Sequence, residues 1–284
     1  MSDRLPRVLS LGAGVQSSTL LMMSIVGDLP RLDYAVFSDT GGEIPATYPH
    51  LRWLADQAVA AGIELLQVRR KRTLEDAIYS DANRSLIPLY FWNELTDQLG
   101  RTSQKCTGDF KVTPKERLLK RWVREWTGCG RSLPKEPVME HWFGYSADEY
   151  RRAQRSILSQ ASWEDRRFPL IEKHMARWDC RDWMTGHGFP DPPRSACYFC
   201  SNRSNEGWRW IREQFPDLWA RACAMDEMLR DIRSRGIEHA RNGEGFMHPS
   251  LVPLVEADLS TQDEREGQGS LFRFGGCYSG ECAT

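Results

Sequence analysis

The sequence lacks any apolar run of about 18 residues or more, so it offers no candidate membrane-spanning helix. It also lacks an excess of either charge: 38 Lys and Arg face 39 Asp and Glu, a formal net charge of -1, and no global field draws it to nucleic acid or membrane. A local basic patch remains compatible with that balance. The opening Met1-Ser2-Asp3-Arg4 leads straight into a strand-like run without the layout of a signal peptide, so a cytoplasmic protein with no membrane partner is expected. There is no internal repeat and no long low-complexity tract. What is present is cysteine. Eight of them in a reducing compartment are better explained as metal ligands or redox groups than as a disulfide framework. The 11 tryptophans, most in the second half, suit a helical core or a stacking surface.

Length and pattern bound the fold. A chain of 284 residues suffices for one large domain or a domain with an appendage. Arg7 to Leu11, Tyr34 to Phe37 and Leu65 to Val68 read as strands, and Ser17 to Ile25 and Tyr48 to Ala61 as helices between them. This alternation predicts a parallel twisted sheet with flanking helices. Residues 80–110 read as irregular, Pro114 to Trp126 as a helix, Val138 to Tyr145 as a strand and Ala147 to Ser156 as a helix. Beyond Pro169 the pattern is mostly helical, over Asp179 to Gly186 and Asn205 to Arg235. The expected organisation is a nucleotide-binding α/β domain over 1–170, a helical, cysteine-containing region over 171–259 and a C-terminal tail over 260–284 carrying two cysteines.

Two loops carry the nucleotide reading. Gly12-Ala13-Gly14-Val15-Gln16-Ser17-Ser18 lies between a strand and a helix, where backbone N–H groups and a helix N-terminus can meet an anion. Ser10, Ser17 and Ser18 add hydroxyls. A lone Gly-x-Gly is as often a plain tight turn. Asp39-Thr40-Gly41 through Pro45, Thr47 and Tyr48 follows the second strand, at the sheet edge that usually binds ligands. Asp-Thr-Gly alone is more often a turn or cap.

Taken together, these segments resemble the phosphoadenosine phosphosulfate (PAPS) reductase and ATP-pyrophosphatase superfamily. The first loop is similar to the Ser-Gly-Gly-x-Asp-Ser of the pyrophosphatases, with Gln16 where they have aspartate; the reductases, like this sequence, place glutamine there. A neutral amide cannot pair with Mg²⁺-pyrophosphate as a carboxylate can, which weighs against cleavage of ATP to AMP and pyrophosphate but not against nucleotide binding. The second loop is similar to the reductases' Asp-Thr-Gly-x-x-x-Pro-x-Thr-Tyr. Runs similar to the Asp-Cys…Pro-Pro-x-Ser-Ala-Cys-x-Phe-Cys pattern of residues 179–200 occur in uncharacterised, often phage-linked members. The resemblance implies an adenine nucleotide alpha hydrolase-like (HUP-like) fold, with nucleotide at Ser10, Gly12, Ala13, Gly14, Gln16, Ser17, Ser18, Asp39, Thr40 and Gly41. Arg152 and Arg155, three apart after a predicted strand, are candidate oxyanion clamps, although any one arginine is more often part of a solvated helix face.

Cys197-Tyr198-Phe199-Cys200 has the spacing of a metal-binding pair and equally of a redox dithiol. Cys106 through Pro114 resembles the Cys-Cys-x-x-Arg-Lys-Val-x-Pro segment of iron–sulfur sulfonucleotide reductases, with Thr107 replacing the second cysteine. Cys180 lies in a stretch similar to the family's Trp-x-x-x-Asp-x-Trp segment. The resemblance implies a [4Fe–4S] cluster on Cys106, Cys180, Cys197 and Cys200; zinc on the same four is the alternative, and four unrelated buried thiols the bland one. Arg194, Arg203 and Lys111 are candidate stabilisers of thiolate or cluster charge. Cys129 has no such context, Cys223 reads as a core residue and His248 as structural. Cys277 and Cys282, the latter in a Glu-Cys pair like the one in the reductases' C-terminal tail, are candidate catalytic cysteines, or else part of an ordinary frayed tail.

The expected function is an iron–sulfur enzyme of adenine-nucleotide-dependent sulfur transfer, with a nucleic acid as a candidate acceptor, as in tRNA thiolation or DNA phosphorothioation. Its ligands would be ATP or PAPS/APS, with Mg²⁺ a further candidate, and its sulfur or electron partner a cysteine desulfurase or a thioredoxin-like reductant. Two alternatives stand beside it: a sulfonucleotide (PAPS/APS) reductase using Cys282, and a non-catalytic metal-stabilised module that binds nucleotide or nucleic acid.

Overall fold

The computed structural model describes residues 4–80 and 86–265. Along the chain run β1 (Arg7–Leu11), α1 (Val15–Val26), β2 (Tyr34–Asp39), α2 (Thr47–Ala60), β3 (Glu64–Arg69), α3 (Leu74–Ser80), β4 (Tyr90–Asn93) and β5 (Gln98–Arg101). A π-helical turn (Thr107–Val112) leads into α4 (Thr113–Thr127), followed by β6 (Glu140–Phe143), α5 (Tyr150–Leu158), β7 (Asp165–Arg167), α6 (Pro169–Glu172) and α7 (Arg177–Gly186). The last helices are α8 (Asn205–Gln214), α9 (Pro216–Met228) and the short α10 (Gln262–Arg265). The chain divides into two compact units, and not at residue 170. One holds the described residues of 4–71 and 108–195, the other those of 72–107 and 196–265. The second unit therefore begins as an excursion between β3 and α4, and α6 and α7 belong to the α/β unit.

That α/β unit is a five-stranded, fully parallel sheet in the order β3-β2-β1-β6-β7. Parallel strands need crossover helices, and the alternating apolar strands and helices supply them. Alternation along β1 sends Leu9 and Leu11 into one core with Leu20, Leu21, Phe37, Leu54, Trp142 and Met184, packed under α1, α2 and α7. Val8 points the other way, to Val36, Leu119, Trp122, Val123 and Met139 under α4. Each of these large side chains contributes about 1.5–3 kcal/mol on burial. Helix α4 starts with Pro114 in its first turn and ends at Gly128, whose φ of 66° lies in the left-handed region. Within this sheet the residue pattern misses β7, because its three residues, Asp165-Arg166-Arg167, are all charged and only half-buried.

The second unit holds the antiparallel hairpin β4–β5, with Tyr90 opposite Arg101 and Phe91 opposite Gly100, in the stretch expected to be irregular. A Cβ at residue 100 would lie 2.6 Å from the Phe91 ring, so only glycine fits there. Isolated bridges Tyr90–Phe246 and Asn93–Ala240 tie the later segment to this hairpin. Helices α8 and α9 pack around the fully buried Trp208, and Pro216 divides the helical pattern expected over 205–235 between them. Asp226, 1% exposed, accepts hydrogen bonds from the Met247 N–H (2.6 Å), the Leu254 N–H (3.0 Å) and the Arg230 guanidinium, and so staples the loops after α9.

Candidate functional site

The sheet order reverses direction at β1: the chain steps from β1 to β2 and β3 on one side, and later to β6 and β7 on the other. Ligands of open parallel sheets bind beyond the strand C-termini at such a point. Gly12, Ala13 and Gly14 stand there, between β1 and α1. Ala13 has φ 54° and is fully buried, and Gly14 caps α1 in extended conformation with no side-chain cap, so the first N–H groups of α1 have no side-chain acceptor from the cap residue. The Ser17 hydroxyl accepts from the Gly12 N–H (3.0 Å) and donates to Gly14 O (3.4 Å), holding the loop closed on itself. The Ser195 hydroxyl donates to Gly12 O, and a Cβ on Gly14 would meet the Ser195 Cβ at 3.2 Å. Gly144, just after β6, must be glycine: a Cβ there would sit 2.9 Å from the Ser17 nitrogen.

The other residues expected at the nucleotide differ in how they are engaged. Ser18 is fully buried and its hydroxyl bonds His50 Nε2 (2.9 Å), behind the loop; burial pushes that imidazole down to about 4 and keeps it neutral. The Gln16 amide donates to Glu149 (3.1 Å) and Ser146 (3.3 Å) and accepts from Arg177 (3.1 Å). Arg152 is paired with Glu149 (2.8 Å) and lies over the Tyr145 ring, whereas Arg155 is exposed. Asp39, 5% exposed, accepts from the Gly41 N–H (2.8 Å), Gln67 (2.8 Å) and the Tyr48 hydroxyl (3.2 Å): its carboxylate organises the second loop. The Thr40 hydroxyl donates to Glu43 (3.2 Å), and Lys111 pairs with the same Glu43 oxygen (3.3 Å).

Ser10 leads to residues that the sequence did not single out. Its Oγ is 2.7 Å from His141 Nε2 and 2.5 Å from Lys115 Nζ. His141 Nδ1 is 2.6 Å from Glu164, which also pairs with Arg166 at 2.7 Å. Burial pushes the imidazole down to about 4, so it is neutral. Glu164, drawn down to about 2 against its own burial by His141 and Arg166, is ionised. Nδ1–H therefore donates to Glu164, Nε2 accepts the Ser10 hydroxyl proton, and Ser10 Oγ accepts from Lys115. Burial lowers the Lys115 ammonium to about 8. Val8 and His141 are register partners, so β-strand alternation places His141 on the Val8 face with Ser10, a juxtaposition set by strand pairing and not by sequence spacing.

The cysteines separate between the units. Cys180 lies in the α/β unit at 0% exposure, in the core with Leu20, Leu21 and Met184; burial, with Asp148 and Asp179 adding to it, pushes its thiol up to about 12. That environment suits a core thiol and not a thiolate ligand. Cys106, Cys197 and Cys200 belong to the other unit. There the Cys200 N–H donates to Cys197 O (3.0 Å), closing the Cys-x-x-Cys turn. Arg203 donates to Cys197 O (2.8 Å), and the Tyr198 hydroxyl donates to Glu75 (2.6 Å). Gln104 donates to Thr107 (3.0 Å) and accepts from Asn202 (3.1 Å), tying the Cys106 segment to the turn. Among the described residues no three His, Cys, Asp or Glu side chains converge as metal ligands. Cys277 and Cys282 lie outside the described residues. His248 is satisfied by Ser250 (2.6 Å) and Asn205 (2.9 Å), as a structural histidine is.

No protein-family model and no curated protein matches the chain. Solved structures similar to it include a PAPS reductase from Candida auris in a phosphate complex, at 16% identity and a TM-score of 0.39, over 66% of this chain and 75% of that one. Another is the U34-tRNA thiolase NcsA from Methanococcus maripaludis with its [4Fe–4S] cluster, at 16% identity and a TM-score of 0.40, over 84% of this chain and 75% of that one. No helix among the described residues is long and apolar enough to cross a membrane.

Proposed function

We propose that this protein is an enzyme of adenine-nucleotide-dependent sulfur chemistry, with the nucleotide phosphates at Gly12 to Ser17 and the Asp39 loop beside them. The observation that carries the reading is the glycine loop at the reversal point of the parallel sheet, where backbone N–H groups and the α1 N-terminus face the C-terminal edge. Its sulfur-handling groups are Cys106, Cys197 and Cys200, carried on one unit, with Cys277 and Cys282 of the tail as relay candidates. Metal in this reading, iron–sulfur or zinc, would be held by the Cys197–Cys200 turn and Cys106 once their side chains close on it, since they do not converge as ligands in the described structure, and there it would bind or pass sulfur. Cys180 is left out because of its burial.

A second reading, reduction of a sulfonucleotide such as PAPS, is favoured by one feature. Gln16 brings a neutral amide, already committed to Glu149, Ser146 and Arg177, to the place where a carboxylate would hold Mg²⁺-pyrophosphate. Calorimetric titration of ATP and of PAPS into protein purified without oxygen tests both readings. Preference for ATP supports thiolation, and preference for PAPS supports reduction. Failure of both to bind at millimolar concentration would sink the nucleotide reading. Iron, sulfide and zinc content of the wild type and of Cys197→Ala tests the metal separately.

A further inference from the structure

The chain Arg166–Glu164–His141–Ser10–Lys115 leaves one charge over. Glu164 is compensated by Arg166, and His141 is neutral. Lys115 is half-buried, and the one hydrogen bond it makes among the described residues is to Ser10, an uncharged hydroxyl; its three N–H donors thus have a single acceptor. The carboxylates whose fields reach it are engaged elsewhere, Glu164 by His141 and Arg166 and Glu116 by Lys120. The Phe143 ring face, 5.3 Å away, gives it only cation–π contact. Desolvating an ammonium without a counter-ion is costly, and such a group is complementary to an anion. Its anchor, Ser10, is two residues before Gly12 on the strand that delivers the glycine loop. Ser10 cannot itself offer a proton to a ligand, because that proton is held by His141 Nε2.

We propose that Lys115 is an anion-binding residue of the nucleotide site, held on Ser10 and donating its remaining N–H groups to a phosphate or sulfate oxygen of the bound nucleotide. Ser10, His141 and Glu164 are positioning residues: they fix the direction of the hydrogen bond that aims the ammonium. The inference rests on the nucleotide reading of Gly12 to Ser17.

The test compares ATP, PAPS and adenosine binding by calorimetry in the wild type, Lys115→Met and Lys115→Arg, with a thermal melt of each apoprotein. Lys115→Met should weaken ATP or PAPS by about tenfold or more, leave adenosine unchanged, and melt at or above the wild-type temperature, because an uncompensated charge has been removed. Lys115→Arg should recover part of the affinity. Equal losses for nucleotide and adenosine, or no loss for either, would overturn the assignment while leaving the nucleotide reading intact. So would a Lys115→Met protein that melts well below the wild type, because the ammonium would then be a structural group. A wild type that binds none of the three removes the nucleotide reading, and this inference with it.

Discussion

Asp226 in the second unit and Lys115 in the α/β unit are both charges drawn out of water, and they are treated in opposite ways. Asp226 is surrounded by two backbone N–H donors and a guanidinium. Among the described residues Lys115 has one hydroxyl. A buried charge with its partners complete is part of the fold, and removing it leaves the partners stranded. A charge with its partners incomplete spends stability that only a ligand can return. The comparison predicts changes of opposite sign. Asp226→Ala orphans Met247 N–H, Leu254 N–H and Arg230 together and should destabilise the protein by about 3–5 kcal/mol in chemical denaturation. A cost below about 1 kcal/mol would show that the difference in partners does not separate structural from functional charge.

The pH dependence of stability sharpens the same contrast. Lys115 has an ordinary value of 10.5 and is lowered to about 8 in the fold. Between pH 8 and 10.5 the unfolded chain holds the proton more tightly, so stability should rise with pH across that window, by at most about 3 kcal/mol. Lys115→Met should abolish the rise. At the acid end the sign is the same, because there too the unfolded chain binds the proton more tightly. His141 is lowered from 6.5 to about 4, so the unfolded chain takes up its proton first as pH falls below 6.5. Glu164 is lowered from 4.5 to about 2, and its contribution fades between those values. Both losses run toward acid, and His141→Gln should remove the part above pH 4.5. A flat profile from pH 8 to 10 in the wild type would count against the uncompensated ammonium.

Gly144 tests how closely β6 must approach the glycine loop. A Cβ placed 2.9 Å from the Ser17 backbone nitrogen has no flexible neighbour to displace, so the first turn of α1 must move. Gly144→Ala should cost about 1–3 kcal/mol and weaken ATP binding through the displaced α1 N-terminus. Gly108→Ala, with open space around its Cβ, is the control and should leave both unchanged. If Gly144→Ala binds ATP as the wild type does, the N-terminus of α1 is not the phosphate seat.

Much of the α/β unit is legible because its signals are local. Apolar runs of strand length alternating with helical spacing give β1, α1, β2, α2 and β3 within a residue or two, and the two glycine-bearing loops stand out by composition. The misses are non-local. β7 exists because Asp165-Arg166-Arg167 pairs with Glu140-His141-Trp142, and nothing in three charged residues announces a strand. The division of the chain depends on residues 72–107 and 196–265 finding one another, which no boundary in composition marks. The polar chain from Lys115 to Arg166 draws its members from β1, α4, β6, β7 and the residue before β7, so the spacing between them carries no pattern. Conversely, the sequence suggested a hydroxyl at Ser18 for the ligand, and the fold turns it to His50, because Ser18 lies on the inward face of α1.

Cys180 is where the sequence resemblance and the packing part most clearly, and the effect of removing it should be the smallest of these. Met184, one turn on, shares its core, and the thiol is surrounded by Leu20, Leu21 and their neighbours. Cys180→Ala removes one sulfur from a packed core and should cost about 1 kcal/mol, the order of a small cavity. If the thiol is a core group, iron and zinc content per chain should match the wild type, while Cys197→Ala lowers it. A fall in metal content for Cys180→Ala equal to that for Cys197→Ala would make Cys180 a ligand after all. It would also require the thiol to leave the α1–α7 core before metal could reach it, a movement that amide hydrogen exchange of α7 would register on metal loading.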